Sequence, residues 1–335
     1  MAARRKSASG SAPTSFEVRL PCSTSNLGAG FDCFGLALKL YLSIRAIIRP
    51  HPAELCRVRT TGRRENRALP RNATNLIYRA MSFVANREQF ELPPLDLAVH
   101  NEIPLASGLG SSAAAIVGGI KLCALIANHR LSDQKILTYA TEFEEHPDNV
   151  AATLMGGFVA SCIDANRQVV SVKSVWPAEI KIVVVSPQSQ LPTYVARAAL
   201  PRMVNRTAAV HNLQRTAIFM AAVKDRRFDL FWEAMRDRLH QPHRESLVLG
   251  LAEALAIPKR PGLLGIALSG AGPSILALVD DGAEEVGKMI ASCFGKHQLR
   301  STVRILEVDN EGCQVLPTSA QETSPAVLQH GTPGN

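Results

Sequence analysis

Two hydrophobic patterns run along the chain, and the first predicts strands. Apolar and polar residues alternate from 16 to 20 and again from 169 to 175, as in strands with one buried face. Apolar or β-branched runs bounded by turn residues predict further strands. These runs lie at 44–48, 56–60, 95–100, 180–185, 265–268, 275–279 and 302–308.

The second pattern has the spacing of helices. It predicts helices at 76–87, 113–125, 133–144, 206–223, 229–239 and 283–294. Asn75 and Ser132 stand directly before two of these segments and are preferred helix caps. Strands and helices therefore follow one another along the whole chain.

Composition and charge narrow the class of protein. The chain has 335 residues, of which 46% are hydrophobic and 20% charged, as in a globular protein with a sizeable core. The net charge of +8 favours anionic partners. Aromatic residues make up only 5%, without the basic and aromatic pattern of single-strand binders, so a nucleotide satisfies the charge as well as a nucleic acid does.

The cysteines and the chain ends point to a cytoplasmic protein. Seven cysteines are dispersed, without a Cys-x-x-Cys pair or zinc spacing, which is typical of reduced thiols. No apolar run is long enough to span a membrane, and the basic start lacks the apolar core of a signal peptide. We predict disordered tails at 1–14 and 317–335.

A glycine- and serine-rich loop precedes the helix predicted at 113–125. Gly108 and Gly110 can adopt positive φ and let the backbone approach a ligand closely. Ser111 or Ser112 can cap the helix, whose first N–H groups would then face an anion. The loop is therefore predicted to cradle phosphate, with an ordinary helix-capping turn as the alternative.

This loop is not a Walker A motif. The Gly-Lys-Ser/Thr sequence is missing, and the first lysine after the loop is Lys121. The charge of a bound triphosphate must then be met by N–H groups, hydroxyl groups and a metal ion.

A second polar segment lies between the first strand and the next apolar run. Asn26 and Asp32 belong to a turn of small and polar residues that could present side chains at the end of a sheet. Hydrogen bonds within an Asx turn are the alternative explanation of both residues.

Further candidate residues lie at helix boundaries. Pro147 ends a predicted helix, and Asp148 follows either as a cap or as a carboxylate beside a reacting group. Thr193 and Arg197 are four apart and would share a helix face. Residues 239–245, which include Arg244, interrupt a helical pattern. Surface positions are the alternative for both arginines.

Three motifs together resemble a known family. The order Pro-x-x-x-Gly-Leu-Gly-Ser-Ser-Ala at 104–113 resembles the second motif of the GHMP kinases, and Ser-Gly-x-Gly-Pro at 269–273 their third. The resemblance covers about residues 16–310. The stretch 21–38 resembles the first motif in its homoserine kinase form, and the segments 146–157 and 191–201 also resemble that branch in particular.

The resemblance implies a two-domain α+β fold, the GHMP kinase fold. Its N-terminal α/β domain, like that of ribosomal proteins, would span 15–170, and its C-terminal ferredoxin-like α/β sandwich 171–316. The implied reaction is transfer of phosphate from ATP to L-homoserine, with Mg²⁺, in threonine biosynthesis. The implied partners are these small molecules, with no nucleic acid or membrane, and a homodimer.

The resemblance also implies site residues. Asp148 would be catalytic, beside the substrate hydroxyl. The substrate would be bound by Asn26, Asp32, His146, Thr193, Arg197, Arg244 and Gly270. The nucleotide would be bound by Asn75, Pro104, Leu105, Ala106, Ser107, Gly108, Leu109, Gly110, Ser111, Ser112, Ala113 and Ala114. Magnesium would be held by Ser112 and Glu144, with Glu142 as the alternative to Glu144.

Several alternatives stay open at this level. Asp148 could accept the hydroxyl proton or only hydrogen-bond to it, because a free Asp pKa near 4 makes a weak base. The substrate could be another small alcohol, such as mevalonate or a sugar, and a non-catalytic nucleotide sensor is a further alternative. The six arginines between 57 and 71 form either a solvated basic loop or a surface that steers nucleotide.

Overall fold

The computed structural model describes residues 15–49 and 54–317. The tail predicted at 1–14 and almost all of the one at 317–335 lie outside these ranges. Within the described ranges, none of the helices combines the length and hydropathy that a membrane crossing requires.

The first sheet is mostly antiparallel. Its described strands are β1 (Ser15–Ser25), β2 (Phe34–Ile48), β3 (Cys56–Gly62), β4 (Leu95–Asn101), β5 (Phe158–Ile163), β6 (Val169–Ser174) and β11 (Gln314–Leu316). The order is β11-β1-β2-β4-β3, with β5 also paired to β2 and β6 to β5. Only the pairing of β3 with β4 is parallel.

Helices cover one face of this sheet. They are α1 (Leu76–Arg87), α2 (Ser111–Ile126), α3 (Asp133–Glu144) and α4 (Asp148–Met155). α2 packs closely on the sheet because Gly118, which lacks a Cβ, lies against Leu20 of β1 and Ile44 of β2. Gly119 likewise allows α1 to approach, since an added Cβ would lie 2.4 Å from the Ile77 carbonyl oxygen.

The second sheet is antiparallel throughout, in the order β10-β7-β9-β8. Its strands are β7 (Lys181–Pro187), β8 (Leu263–Leu268), β9 (Ile275–Val279) and β10 (Ser301–Leu306). Ile182 and Val184 of β7 point into the core shared with the first sheet. Val183 and Val185 point to the opposite face, into a second core. Burial on both faces explains why this strand is continuously apolar.

The remaining helices follow β7 in the chain. They are α5 (Thr193–Ala198), α6 (Arg206–Lys224), α7 (Phe231–Ala234), α8 (Gln241–Arg244), α9 (Leu251–Leu255) and α10 (Ala283–Lys296). Of these, α7, α9 and α10 pack on the second sheet. α6 is tied to the first core by Phe219, whose ring packs against Phe34, Phe158 and Phe231.

The prediction of one continuous helix over residues 229–239 is wrong. The segment forms a 3-10 turn (Phe228–Leu230) and the short α7, and then leaves the helical path. The physical cause is Asp237, whose buried carboxylate accepts hydrogen bonds from the N–H groups of Leu239, His240 and Gln241. An aspartate that bonds nearby N–H groups competes with helix propagation and starts a new turn.

The predicted division at 170/171 falls inside β6, and the change of sheet comes in the loop between β6 and β7. In addition, β11 returns from the C-terminal part to pair with β1. The strands β5 and β11 were not separately predicted.

Candidate active site

The glycine- and serine-rich loop connects β4 to α2 and is fastened to neighbouring segments. Gly108 has φ +76°, and a Cβ there would lie 2.1 Å from the Ser269 carbonyl oxygen. The Ser269 hydroxyl donates to the Gly108 carbonyl at 2.7 Å, and the Ser274 N–H donates to that of Ser107 at 3.2 Å. The turn between β8 and β9 therefore holds the loop, and close approach requires glycine.

The N-cap of α2 is neither of the two serines that were predicted to cap this helix. Gly110, in the left-handed region at φ +65°, is the N-cap, and its position makes Ser111 and Ser112 the first two helical residues. Neither serine caps the helix with its side chain. The first N–H groups of this long helix are thus not used by a side-chain cap and can bind an anion.

A second, mostly apolar cavity of about 330 Å³ adjoins the loop. Ala106, Ser111 and Ser112 line both this cavity and the cleft beside the glycine- and serine-rich loop, so the two spaces are neighbours. Asn75 lines it as well, but its side chain is occupied: it accepts from the Ile77 N–H and donates to the Pro70 carbonyl. Asn75 is therefore the cap of α1, as predicted. Because its side chain already makes these two hydrogen bonds, it can contact a nucleotide base mainly through van der Waals packing.

The acidic centre of the cleft lies at the start of α4. Asp148 is buried, and its Oδ1 accepts from the Asn149 N–H at 2.6 Å and lies 2.5 Å from His146 Nδ1. Burial acts to raise the pKa of Asp148, but His146 and these hydrogen bonds outweigh it and hold that pKa below its ordinary value. Asp148 is accordingly a stable carboxylate.

His146 is the partner that carries the opposite charge. Burial disfavours its charged form, but Asp148 more than compensates and raises the pKa of the imidazole to about 8. Its Nε2 is buried without a hydrogen-bond partner among the described residues, 3.8 Å from the nearer carboxylate oxygen of Glu144.

The two candidate metal ligands of α3 differ in position. Glu144 lines the cleft together with Ser112. Glu142 points outward and pairs with Arg87 at 2.7 Å. Carboxylate and hydroxyl oxygens suit Mg²⁺, so Ser112 and Glu144 fit this ion and Glu142 does not reach it.

Asp32, His146 and Asp148 also offer atoms within 4.8 Å of one another. His146 is already paired with Asp148, and Asp32 with Arg197. This group is therefore an ion-pair cluster in which every member has a protein partner.

A strained turn between β1 and β2 places an amide and a carboxylate, those of Asn26 and Asp32, at the cleft. Asn26 and Asp32 both have positive φ, which is uncommon for non-glycine residues and typical of functional sites. Asn26 Nδ2 donates to the Gly270 carbonyl at 3.0 Å, and its Oδ1 accepts from the Asp32 N–H. Asp32 receives both terminal nitrogens of Arg197, at 2.8 and 3.2 Å.

Arg244 is a buried cation without an acidic partner within 4.0 Å in the described part of the chain. Its Nη1 donates to the Gly270 carbonyl at 3.1 Å, and its Nε to that of Ala196 at 3.3 Å. Burial, together with the charge of Arg197, lowers the pKa of Arg244 to about 10. A desolvated guanidinium that lines a cleft is suited to receive an anionic group.

The cleft brings most predicted residues together. Those lining it are Asn26, Asp32, Pro104, Ala106, Ser107, Gly108, Leu109, Gly110, Ser111, Ser112, Glu144, His146, Asp148, Thr193, Arg197, Arg244 and Gly270. Leu105 and Asn75 line the adjoining apolar cavity. Ala113 and Ala114 are fully buried in the core and line neither space.

Some lining residues were missed by sequence reasoning. Phe31 lies in the strained turn, near both the Arg197 and the Arg244 guanidinium. Ser25 and Asn149 are joined by a 2.9 Å hydrogen bond between β1 and α4. Their signal was adjacency to Asn26 and Asp148, which does not by itself tell which neighbour faces the cleft.

Comparison with known proteins identifies related chains. The pattern described as "GHMP kinases N terminal domain" matches residues 75–157, and "GHMP kinases C terminal" matches residues 219–296. A homoserine kinase of Solibacter usitatus is 41% identical over 279 residues, covering 83% of this chain and 90% of that protein. One of Persephonella marina is 37% identical over 300 residues, covering 89% and 97%.

Solved structures agree with these sequence matches. The crystal structure of homoserine kinase from Cytophaga hutchinsonii has a TM-score of 0.80 at 26% identity, covering 92% of this chain and 99% of that one. A galactokinase from Lactococcus lactis, at 16% identity and a TM-score of 0.64, shares the fold.

Proposed function

The chain belongs to the GHMP kinases, and from that premise we propose that it transfers the γ-phosphoryl group of ATP to the side-chain hydroxyl of L-homoserine, a step of threonine biosynthesis. The single observation that carries the choice of substrate is Arg244. A buried guanidinium without a nearby carboxylate lines the same cleft as the phosphate loop. An acceptor with a carboxylate group therefore fits this cleft better than a neutral sugar does.

Each functional group of homoserine has a complement in the cleft. Arg244 binds the carboxylate through a charge-assisted hydrogen bond. The substrate ammonium group binds to the Asp32 carboxylate and to the Asn26 side chain. Asp32 then pairs with both this ammonium group and Arg197. Thr193 lies beside Arg197 on the first turns of α5 and contacts the same substrate.

ATP occupies the two adjoining cavities. The adenine lies in the apolar cavity beside Asn75, and the phosphates lie along the loop at 104–112, against the free N–H groups at the start of α2. Ser112 and Glu144, which line the same cleft, would hold Mg²⁺. The ion, when bound, neutralises charge on the β- and γ-phosphates.

Asp148 orients the substrate hydroxyl by accepting its hydrogen bond. Because its pKa lies below the ordinary value, it remains ionised but is a poor acceptor of a complete proton before transfer. Phosphoryl transfer has a loose transition state, so positioning and charge stabilisation matter more than a strong base. This supports an orienting role for Asp148.

ADP release tests the proposal directly. Purified protein is supplied with ATP and Mg²⁺ and with one of four alcohols: L-homoserine, mevalonate, galactose or L-serine. We expect turnover with L-homoserine well above that with the other three. Turnover that prefers mevalonate or galactose would keep the kinase activity and remove the substrate assignment, whereas binding of ATP without turnover on any alcohol would favour a nucleotide sensor.

The proposal also covers the cellular location and the oligomeric state of the protein. We propose a cytoplasmic location, which the seven unpaired cysteines support. We also propose a homodimer, on the resemblance to the homoserine kinase branch. Sedimentation analysis tests the second point, and a single monomeric species at micromolar concentration would contradict it.

A further inference from the structure

The substrate side of the cleft depends on how Arg244 is held. Its guanidinium has a third contact besides the Ala196 and Gly270 carbonyls: Nη1 lies 3.1 Å from Nδ1 of His240. No hydrogen bond to Nη2 is made by any residue in the described ranges, which leaves this nitrogen for a ligand. The orientation of Nη2 is therefore set by the three fixed contacts on the other two nitrogens.

The hydrogen-bond chemistry defines the tautomer of His240. A guanidinium N–H can only donate, so Nδ1 must accept from Arg244. The Gly28 carbonyl can only accept, and it lies 2.9 Å from Nε2, so Nε2 must carry the proton. His240 is completely buried, and burial lowers the pKa of its imidazole despite the opposing influence of Asp237. The ring is thus neutral, with a lone pair directed at Arg244.

The backbone of His240 is fixed independently. Asp237 accepts the N–H groups of both His240 and Gln241, at 3.0 and 2.7 Å, and a 2.7 Å bond from Asn212 of α6. Asn212 also donates to the Ala29 carbonyl at 3.0 Å. The loop that carries His240 is therefore fastened to the same turn that presents Asn26 and Asp32.

Phe31 completes the enclosure of the imidazole. Its ring stacks on the His240 ring with centroids 5.2 Å apart and an interplanar angle of 22°. The same ring lies 5.7 Å from the Arg244 guanidinium carbon. Stacking from one side and hydrogen bonds at both nitrogens leave the imidazole one orientation, the one in which Nδ1 meets Arg244.

We propose that His240 is a positioning residue, which holds Arg244 in the orientation that binds the substrate carboxylate. The inference rests on the proposed function. It assigns His240 an effect on homoserine binding and none on ATP binding, since it contacts Arg244 and lines neither the phosphate loop nor the apolar cavity.

Two amide variants separate this role from simple packing. In His240→Asn the amide oxygen lies about where Nδ1 was and can still accept from Arg244, but the donor to Gly28 is lost. In His240→Gln the longer amide reaches Gly28 and can still donate, but no acceptor remains at the Nδ1 position. The two variants thus each keep one of the two hydrogen bonds of the imidazole.

The Michaelis constants for L-homoserine and for ATP are measured separately. We expect His240→Gln to raise the KM for L-homoserine about tenfold and His240→Asn less than about threefold, as for loss or retention of one charge-assisted hydrogen bond. The KM for ATP should stay within about twofold in both. The reverse order, equal effects or an equal rise in both constants would overturn the inference. Wild-type protein that fails to phosphorylate homoserine would instead refute the proposed function.

A measurement on the wild-type protein does not depend on the stability of variants. In protein labelled with ¹⁵N-histidine, the His240 resonances should show protonated Nε2 and unprotonated Nδ1. The Nδ1 resonance should move when L-homoserine is added and stay in place with ATP alone. A protonated Nδ1, or an Nδ1 resonance that does not respond to L-homoserine, would refute the inference.

Discussion

Asp148 shows how one carboxylate can be both deeply buried and charged. Burial alone would favour its neutral form, yet His146 and the Asn149 N–H stabilise the anion. The charge is therefore available where a substrate hydroxyl would lie, without waiting for deprotonation. Its neighbours set the chemistry of this residue as much as its own side chain does.

Replacing Asp148 tests the orienting role. In Asp148→Asn the charge that holds the hydroxyl and pairs with His146 is lost, so we expect kcat to fall by about 10² to 10³ while the KM for ATP changes less than about twofold. Steady-state kinetics measure both. Asp229→Asn, at an exposed site paired with Arg227, is the matched control. A rise in the KM for ATP with kcat unchanged would contradict the assignment.

The His146–Asp148 pair predicts a pH dependence of stability. The pKa of His146 is about 8 in the folded state and ordinarily 6.5, so its stabilising contribution is complete below pH 6.5 and disappears as the pH rises through 8. We expect the free energy of unfolding of the metal- and nucleotide-free protein to lose about 2 kcal/mol from this source.

Urea unfolding at several pH values measures this contribution. The difference in stability between wild type and His146→Gln should shrink across the window from pH 6.5 to 8. A difference that stays constant over the window would show that folding does not raise the pKa of His146.

The two glutamates of α3 provide a matched pair for the metal. Glu144 lines the cleft, whereas Glu142 pairs with Arg87 at the surface. We expect Glu144→Gln to raise the Mg²⁺ concentration needed for half-maximal activity about tenfold or more, because an amide is a weaker ligand than a carboxylate. Glu142→Gln should leave it unchanged. Titration of activity with Mg²⁺ tests both, and an effect confined to Glu142→Gln would reverse the assignment.

At the scale of elements, two helix glycines should respond oppositely to the same substitution. Gly119 of α2 faces the Ile77 carbonyl, and a Cβ there would lie 2.4 Å from its oxygen. Gly295 of α10 has no atom within 4 Å of an added Cβ. We expect Gly119→Ala to reduce the free energy of unfolding by about 1–3 kcal/mol and Gly295→Ala to increase it by about 0.5–1 kcal/mol.

Chemical denaturation measures both glycine variants. Equal shifts of the same sign would mean that α2 and α1 do not pack through this glycine. Alanine has a higher helix propensity than glycine in both segments, so a loss of stability confined to Gly119→Ala reports packing.

Local sequence signals predicted helices correctly where the tertiary contacts favour the same structure. α1 begins after Asn75 and α3 after Ser132, and both caps accept the expected N–H. The segment at 229–239 fails because the role of Asp237 depends on Asn212, which is distant in sequence. No local pattern distinguishes this aspartate from one that lies on a solvated helix face.

The candidate site likewise contains one feature with a local sequence signal and one that depends on the folded structure. The position of the glycine- and serine-rich loop before a helix was predicted from its own residues, and phosphate binding there stays a prediction. Arg244 was found only through resemblance, and the structure supplies what the sequence lacks: its burial and its contact with His240. His240 is only four residues from Arg244, but the burial of Arg244 and the direction of both side chains are visible only after folding.

At the scale of the whole molecule, the cleft is assembled from both sheets. The phosphate loop follows β4 of the first sheet, and the turn between β8 and β9 of the second sheet holds it through Ser269. Gly270, in that same turn, binds Asn26 and Arg244 with one carbonyl oxygen. The glycine- and serine-rich loop and the Asn26 and Arg244 side chains are thus fixed to a common support, as the proposed transfer between two aligned ligands requires.

The central claim is transfer of phosphate to homoserine rather than to water, and ³¹P NMR of one reaction tests it most directly. Protein, ATP, Mg²⁺ and L-homoserine are combined and followed over time. We predict a phosphomonoester signal, split by coupling to the two protons of the adjacent CH₂ group, that grows in step with ADP. Growth of inorganic phosphate alone, or no change beyond a control without protein, would contradict the account.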